Sequence, residues 1–156
     1  MTHSKVFILL FLFSIFLLSA CSNNSVPSDW EASENEVMND FEGVTMIVKD
    51  GTVSSEGATL ILTNEADVEG VYGNYYTLEK KSNDQWYKVP VANKDSAFED
   101  VGYSLPPAGT EEWGAIWKWR EGELDKGTYR IIKSITASSE NGENNRYLLL
   151  AEFEVE

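Results

Sequence analysis

The spacing of apolar side chains divides this chain into three textures. Residues 6–18, VFILLFLFSIFLL, are apolar throughout except for Ser14. Residues 22–40, SNNSVPSDWEASENEVMND, are rich in Ser, Asn and acids and hold few hydrophobes. From Phe41 onward short runs of β-type residues alternate with clusters of Gly, Pro, Asn, Asp and Ser, which is the period of strands separated by turns. These runs cover residues 43–49 (GVTMIVK), 58–63 (ATLILT), 71–80 (VYGNYYTLEK), 85–89 (QWYKV), 112–120 (EWGAIWKWR), 128–136 (TYRIIKSIT) and 146–155 (RYLLLAEFEV). In 71–80 the alternation sets Tyr72, Asn74, Tyr76 and Leu78 on one face and Gly73, Tyr75, Thr77 and Glu79 on the other. Asp50-Gly51, Ser82-Asn83-Asp84 and Asn141-Gly142 read as turns, whereas residues 97–105 show no regular pattern. About seven short strands and no convincing helix predict an all-β sandwich.

The first texture has a different use. One basic residue, Lys5, precedes the apolar run, and Ser19 and Ala20 follow it. That arrangement is a secretory leader, too short for a spanning helix of about 20 apolar residues. A retained membrane anchor is the alternative, and no basic stop-transfer cluster follows to support it. Leu18-Ser19-Ala20-Cys21 resembles the lipobox of bacterial lipoproteins. The resemblance implies cleavage before Cys21 and conversion of its thiol to a diacylglyceryl thioether, with palmitate-type acyl chains in the membrane. More than one chain is what a stable anchor requires. The expected organisation is therefore a signal peptide over 1–20, a flexible tether over 21–40 that starts at lipidated Cys21, and a folded domain over 41–156.

Leu124-Asp125-Lys126-Gly127-Thr128-Tyr129 fits Leu-x-x-Gly-x-Tyr. This spacing resembles the tyrosine corner of Greek-key sandwiches, in which a Tyr returns its hydroxyl to backbone a few residues upstream. The corner residues are then Leu124, Gly127 and Tyr129. Ile131 takes the place where antibody domains carry a sheet-bridging cysteine, and Leu60 or Leu62 stands in for its partner, so the core is immunoglobulin-like without a disulfide. Together with YGNYYTLEKKSNDQWYKVP, YSLPPAGTEEW and a final AEFEV, residues 43–156 resemble a bacterial immunoglobulin-like domain family. That resemblance implies a secreted or lipid-anchored module, mostly of Gram-positive bacteria, on the extracytoplasmic face of the cell membrane. It brings no catalytic residues and no cofactor.

Composition narrows the chemistry further. The leader holds one Lys, no acid and the sole histidine, His3, so its removal takes the formal charge from −14 to −15. A chain with no imidazole and one acylated thiol builds neither a Ser–His–Asp or Cys–His nucleophile nor a zinc site. Its acidity repels nucleic-acid phosphate and holds the domain off an anionic bilayer. Asp95, Glu99 and Asp100, and Glu140 and Glu143, form no regular calcium loop, so no metal is expected. Carboxylate-pair hydrolysis lacks paired acids in any cleft motif.

The aromatic residues are the candidate binding groups. Trp113, Trp117 and Trp119 share a parity along 112–120 and form a core face, an exposed platform or a mixture of the two. Tyr75 and Tyr76 point to opposite faces, which marks Tyr75 as a second surface candidate. The expected function is non-enzymatic binding or presentation at the cell envelope, with an unidentified protein or envelope component as partner. The alternative is a carbohydrate-binding module that uses the Trp face.

Overall fold

A computed structural model describes residues 26–34, 38–138 and 142–156. The expected leader, Cys21 and the first residues of the expected tether lie outside them, as do Glu140 and Asn141 of the last hairpin. The strands are β1 (Val44–Val48), β2 (Gly57–Asn64), β3 (Gly70–Gly73), β4 (Thr77–Ser82), β5 (Gln85–Lys88), β6 (Gly102–Leu105), β7 (Thr110–Ile116), β8 (Gly127–Ser138) and β9 (Asn144–Val155). They form two antiparallel sheets. One has the order β1-β2-β7; the other has the order β5-β4-β8-β3-β6, with β9 along the opposite side of β8.

Among the described residues nine strands replace the expected seven, for two physical reasons. The run 71–80 is broken, because both β3 and β4 pair with β8 but in different registers. Tyr72 faces Ile135 and Thr77 faces Ile132, so four residues of one chain oppose two of the other. The side chain of Lys133 closes the gap, donating to the carbonyls of Gly73 at 2.6 Å and Tyr75 at 3.3 Å. The second addition is β6, a short pairing with β3 inside the stretch that carried no periodic signal. Asn83 and Asp84 both adopt positive φ, 49° and 61°, which matches the twist of a two-residue hairpin between β4 and β5.

The inner faces meet in a core that includes Leu60, Leu62, Leu78, Ile131, Ile135 and Leu149, all at most 1 % exposed. At one end Trp117 stacks on Phe153 at 5.2 Å, and Phe153 stacks on Tyr129 at 5.8 Å. The hydroxyl of Tyr129 donates to the carbonyl of Asp125 at 2.9 Å. Leu124 is buried beside this corner, and its amide donates to the Ser55 carbonyl. Gly127 is required, since its φ is +151° and a Cβ there would lie 2.9 Å from the Lys80 side chain. Replacing Tyr129 with Phe removes one hydrogen bond to a carbonyl that water can reach. We expect a loss of about 1 kcal/mol by urea unfolding, with the ring stack retained.

Within the segment expected to be a tether as far as residue 40, Glu31, Ser33 and Asn39 are hydrogen-bonded to the domain. The amide of Lys88 donates to the carbonyl of Glu31, and the amide of Ser33 to that of Trp86, which extends the sheet beyond β5. Further on, Asn39 hydrogen-bonds the far edge. Its amide donates to Leu148 O at 2.7 Å, and its Oδ1 accepts from Leu150 N at 2.8 Å. Ser33 lies against a polar cluster on the outer sheet face. There Glu79, 2 % exposed, accepts from Ser33 Oγ and Arg130 Nε, each at 2.5 Å. Arg130 also lies over the Trp86 ring, 4.5 Å from its centroid.

Candidate functional site

The aromatic residues gather where the break between β3 and β4, the end of β7 and the β5–β6 loop meet. Phe98, from that loop, is the hub. It makes edge contacts with Tyr76 at 5.1 Å, Tyr75 at 5.5 Å and Trp119 at 5.4 Å, with interplanar angles of 65°, 76° and 89°. The guanidinium of Arg120 lies 4.8 Å from the Phe98 centroid. Tyr75 and Trp119 are 54 % and 40 % exposed, and Ile116 beside them is 60 % exposed. A shallow pocket of about 230 Å3 opens among Phe98, Trp113, Gly114, Ile116 and Trp119, with Asn74 and Glu99 in its lining.

The three tryptophans are not equivalent. The strand expected over 112–120 ends at Ile116, and the Trp117 carbonyl then accepts from the amides of Arg120, Glu121 and Gly122. That tight turn breaks the parity of Trp117 and Trp119. Trp117 is fully buried, with Nε1 donating to Ser55 O at 2.8 Å, so it leaves the set of candidate binding aromatics. Trp113 is half-buried against the core, and its indole meets Tyr76 at 5.9 Å. Trp119 and Tyr75 are the two candidates whose rings reach solvent.

Two buried ionisable groups stand behind this surface. Lys133 is 1 % exposed, and its Nζ lies 3.5 Å from the Trp113 ring centroid. Among the described residues no carboxylate lies within ion-pair distance of it. Burial lowers its pKa from 10.5 to about 7. Glu121 accepts from Tyr76 Oη at 2.9 Å and pairs with Arg120. Burial raises its pKa, against the opposing pull of the Tyr76 hydrogen bond and of Arg120. Tyr76 is in turn held well above its ordinary pKa, by burial first and by the Glu121 charge second.

The described residues include no histidine or cysteine, and none of their acids gather into a group of three suited to a metal. The surface offers apolar edges, one guanidinium and an exposed carboxylate, which suit binding. A family model for the bacterial Ig-like domain matches residues 40–154. The chain belongs to that family. No curated protein matches it. A bacterial Ig-like domain is typically a non-catalytic module, in keeping with the two-sheet β architecture and a single cysteine without a disulfide partner.

Sequence reading of this bacterial Ig-like domain missed Phe98, Ile116 and the pair Tyr76–Glu121. Phe98 is a single hydrophobe in the acid-rich stretch that carries no periodic pattern, whereas Ile116 lies inside the run 112–120 on the parity opposite the tryptophans. Lys133 was legible in principle, because it shares the parity of Tyr129, Ile131 and Ile135 in the longest inward-facing run.

Proposed function

We propose that this chain is a lipid-anchored bacterial Ig-like module on the extracytoplasmic face of the membrane, which binds a protein component of the envelope without catalysis. The observation that carries the binding role is the exposed Tyr75–Phe98–Trp119 cluster with Ile116 beside it. Large aromatics at a solvent-facing pocket are the usual anchors of protein interfaces. A protein partner is favoured over a sugar because the rings stand edge-on to Phe98 and Trp117 is internal. No flat row of indoles remains for a pyranose to stack on.

The anchor reading rests on Leu18-Ser19-Ala20-Cys21 behind the apolar run. Full-length protein made in a Gram-positive host should take up labelled palmitate and enter the detergent phase on phase separation. Cys21→Ala should do neither. A variant that still carried label and still entered the detergent phase would overturn the lipid attachment. The binding role predicts that Tyr75→Ala/Trp119→Ala lowers retention on cross-linked envelope fractions by about tenfold or more, the effect of losing two interface anchors. Both rings are partly exposed but pack on Phe98, so the double variant should lose about 1–3 kcal/mol of stability, and retention is compared at equal folded protein. Unchanged retention would sink the role assigned to the cluster.

A further inference from the structure

The pocket lies directly beside an unguarded strand edge. β7 pairs with β2 on one side only. The Gly109 carbonyl accepts from Asn64, and the Trp117 amide donates to Glu56. Antiparallel alternation then turns the odd-numbered residues of β7 toward β2, and the backbone of Thr110, Glu112, Gly114 and Ile116 away from it. At the Ile116 end the carbonyl faces the Tyr76 hydroxyl at 3.3 Å, whose proton goes to Glu121. Farther along, Glu112 and Gly114 present amides and carbonyls that pair with no strand among the described residues.

Edges of this kind are usually blunted by proline, by lysine or by a bulge. β7 holds no Pro and no Lys. The Glu112 carboxylate is drawn to Lys49, at 2.7 Å. Gly114 leaves the middle of the edge bare, and a Cβ placed there would meet nothing within 4 Å. Both Gly114 and Ile116 line the aromatic pocket, so a strand laid along this edge would carry one side chain into it.

We propose that the free edge of β7 is the docking site for an extended, lysine- or arginine-bearing segment of another envelope protein. The segment adds as a further strand at Glu112 and Gly114 and places one side chain among Phe98, Trp113 and Trp119. This rests on the binding-module reading above and names the partner's chemistry. Strand addition draws affinity from main-chain hydrogen bonds and specificity from the pocket that receives alternate side chains. Charge selects the sign. The chain carries −14, Glu99 lines the pocket, and Glu111 projects from the strand beside the edge. Phe98 already carries one guanidinium, that of Arg120. A second copy of this chain would bring the same negative charge to the edge and is disfavoured for that reason.

The test uses the full chain in detergent micelles and three capped heptapeptides. One alternates Lys with Val, one replaces every Lys with Glu, and one carries Pro in place of its central Val. Tryptophan emission and calorimetry report binding; hydrogen exchange reports the Gly114 amide. The Lys peptide should bind, weaken in high salt and slow exchange at Gly114. The Glu and Pro peptides should bind about tenfold more weakly or worse, for want of charge in one case and of a donor in the other. Gly114→Pro deletes an outward-facing donor at an edge position that tolerates proline, so it should weaken the Lys peptide by about tenfold. Gly114→Ala keeps the donor and should stay close to wild type. Overturning results are equal binding by Gly114→Pro, equal binding of the Glu peptide, no binding of any peptide, or unchanged Gly114 exchange on saturation. Dimerisation relieved by Gly114→Pro would assign the edge to a second copy instead, and retention of polysaccharide through the same edge would assign it to sugar. Cys21→Ala bears on anchoring alone, so the two readings fail separately.

Discussion

Trp117→Ala is expected to remove about 3–5 kcal/mol of stability, the largest loss from any single side chain described above. The indole is fully buried, and it does three things at once. It stacks on Phe153, which stacks on the corner Tyr129, so its loss opens a cavity at the end of a three-ring column. Its Nε1 donates to Ser55 O, the same carbonyl that receives the Leu124 amide. That carbonyl belongs to the turn before β2, so one acceptor joins the two sheets at this end. Its backbone carbonyl collects three amides of the turn that follows. Typical domains are stable by only about 5–15 kcal/mol, so the variant should melt well below the wild type or fail to accumulate. Trp117→Phe keeps part of the stack and should lose roughly half as much. A urea midpoint for Trp117→Ala within error of wild type would contradict the packing described here.

The second large effect depends on pH and comes from Lys133. Its ammonium sits between two carbonyls and the Trp113 face, without a carboxylate partner among the described residues. Its pKa is about 7 in the folded chain, below the ordinary 10.5 of the unfolded one. Between those values the unfolded state binds a proton that the folded state has released, so stability rises with pH. Below pH 7 both states are protonated and the cost of the buried charge is constant. Between pH 7 and 9.5 the wild type should gain roughly 2–3 kcal/mol. Tyr72, Tyr76 and Tyr129 all have raised pKa values and so titrate above this window. Lys133→Met should flatten the rise. Parallel slopes for the two proteins in urea titrations at pH 7 and 9.5 would assign the gain to other groups.

These two side chains also mark how far the sequence could be read. Strands with one buried face were visible wherever alternation ran cleanly, as in 58–63 and 128–136, and the spacing of Leu124, Gly127 and Tyr129 pointed to the corner. Alternation fails where tertiary geometry resets the register. The break at 73–76 adds two residues without interrupting the apolar pattern, because an even insertion leaves Tyr72, Tyr76 and Leu78 on one parity. The parity of the tryptophans fails at Ile116 because the Trp117 carbonyl gathers the next turn, a hydrogen-bonding event with no hydrophobic period. The docking of residues 31–33 and of Asn39 was invisible for a similar reason. It is held by backbone bonds to β5, by the Ser33–Glu79–Arg130 cluster and by Asn39, none of which leaves an apolar stripe.

The pairing at Glu31 sets the length of the leash. Were Cys21 lipidated as proposed, at most ten residues would separate the lipid from Glu31, the point where the chain pairs with the sheet. Fully drawn out, those residues reach about 35 Å, where a span running to residue 40 would reach nearly twice as far. The volume swept above the membrane shrinks with the cube of that reach. On the proposed anchoring, a partner fixed in the same bilayer would therefore meet the domain at a several-fold higher local concentration, and one standing farther out would lie beyond its range.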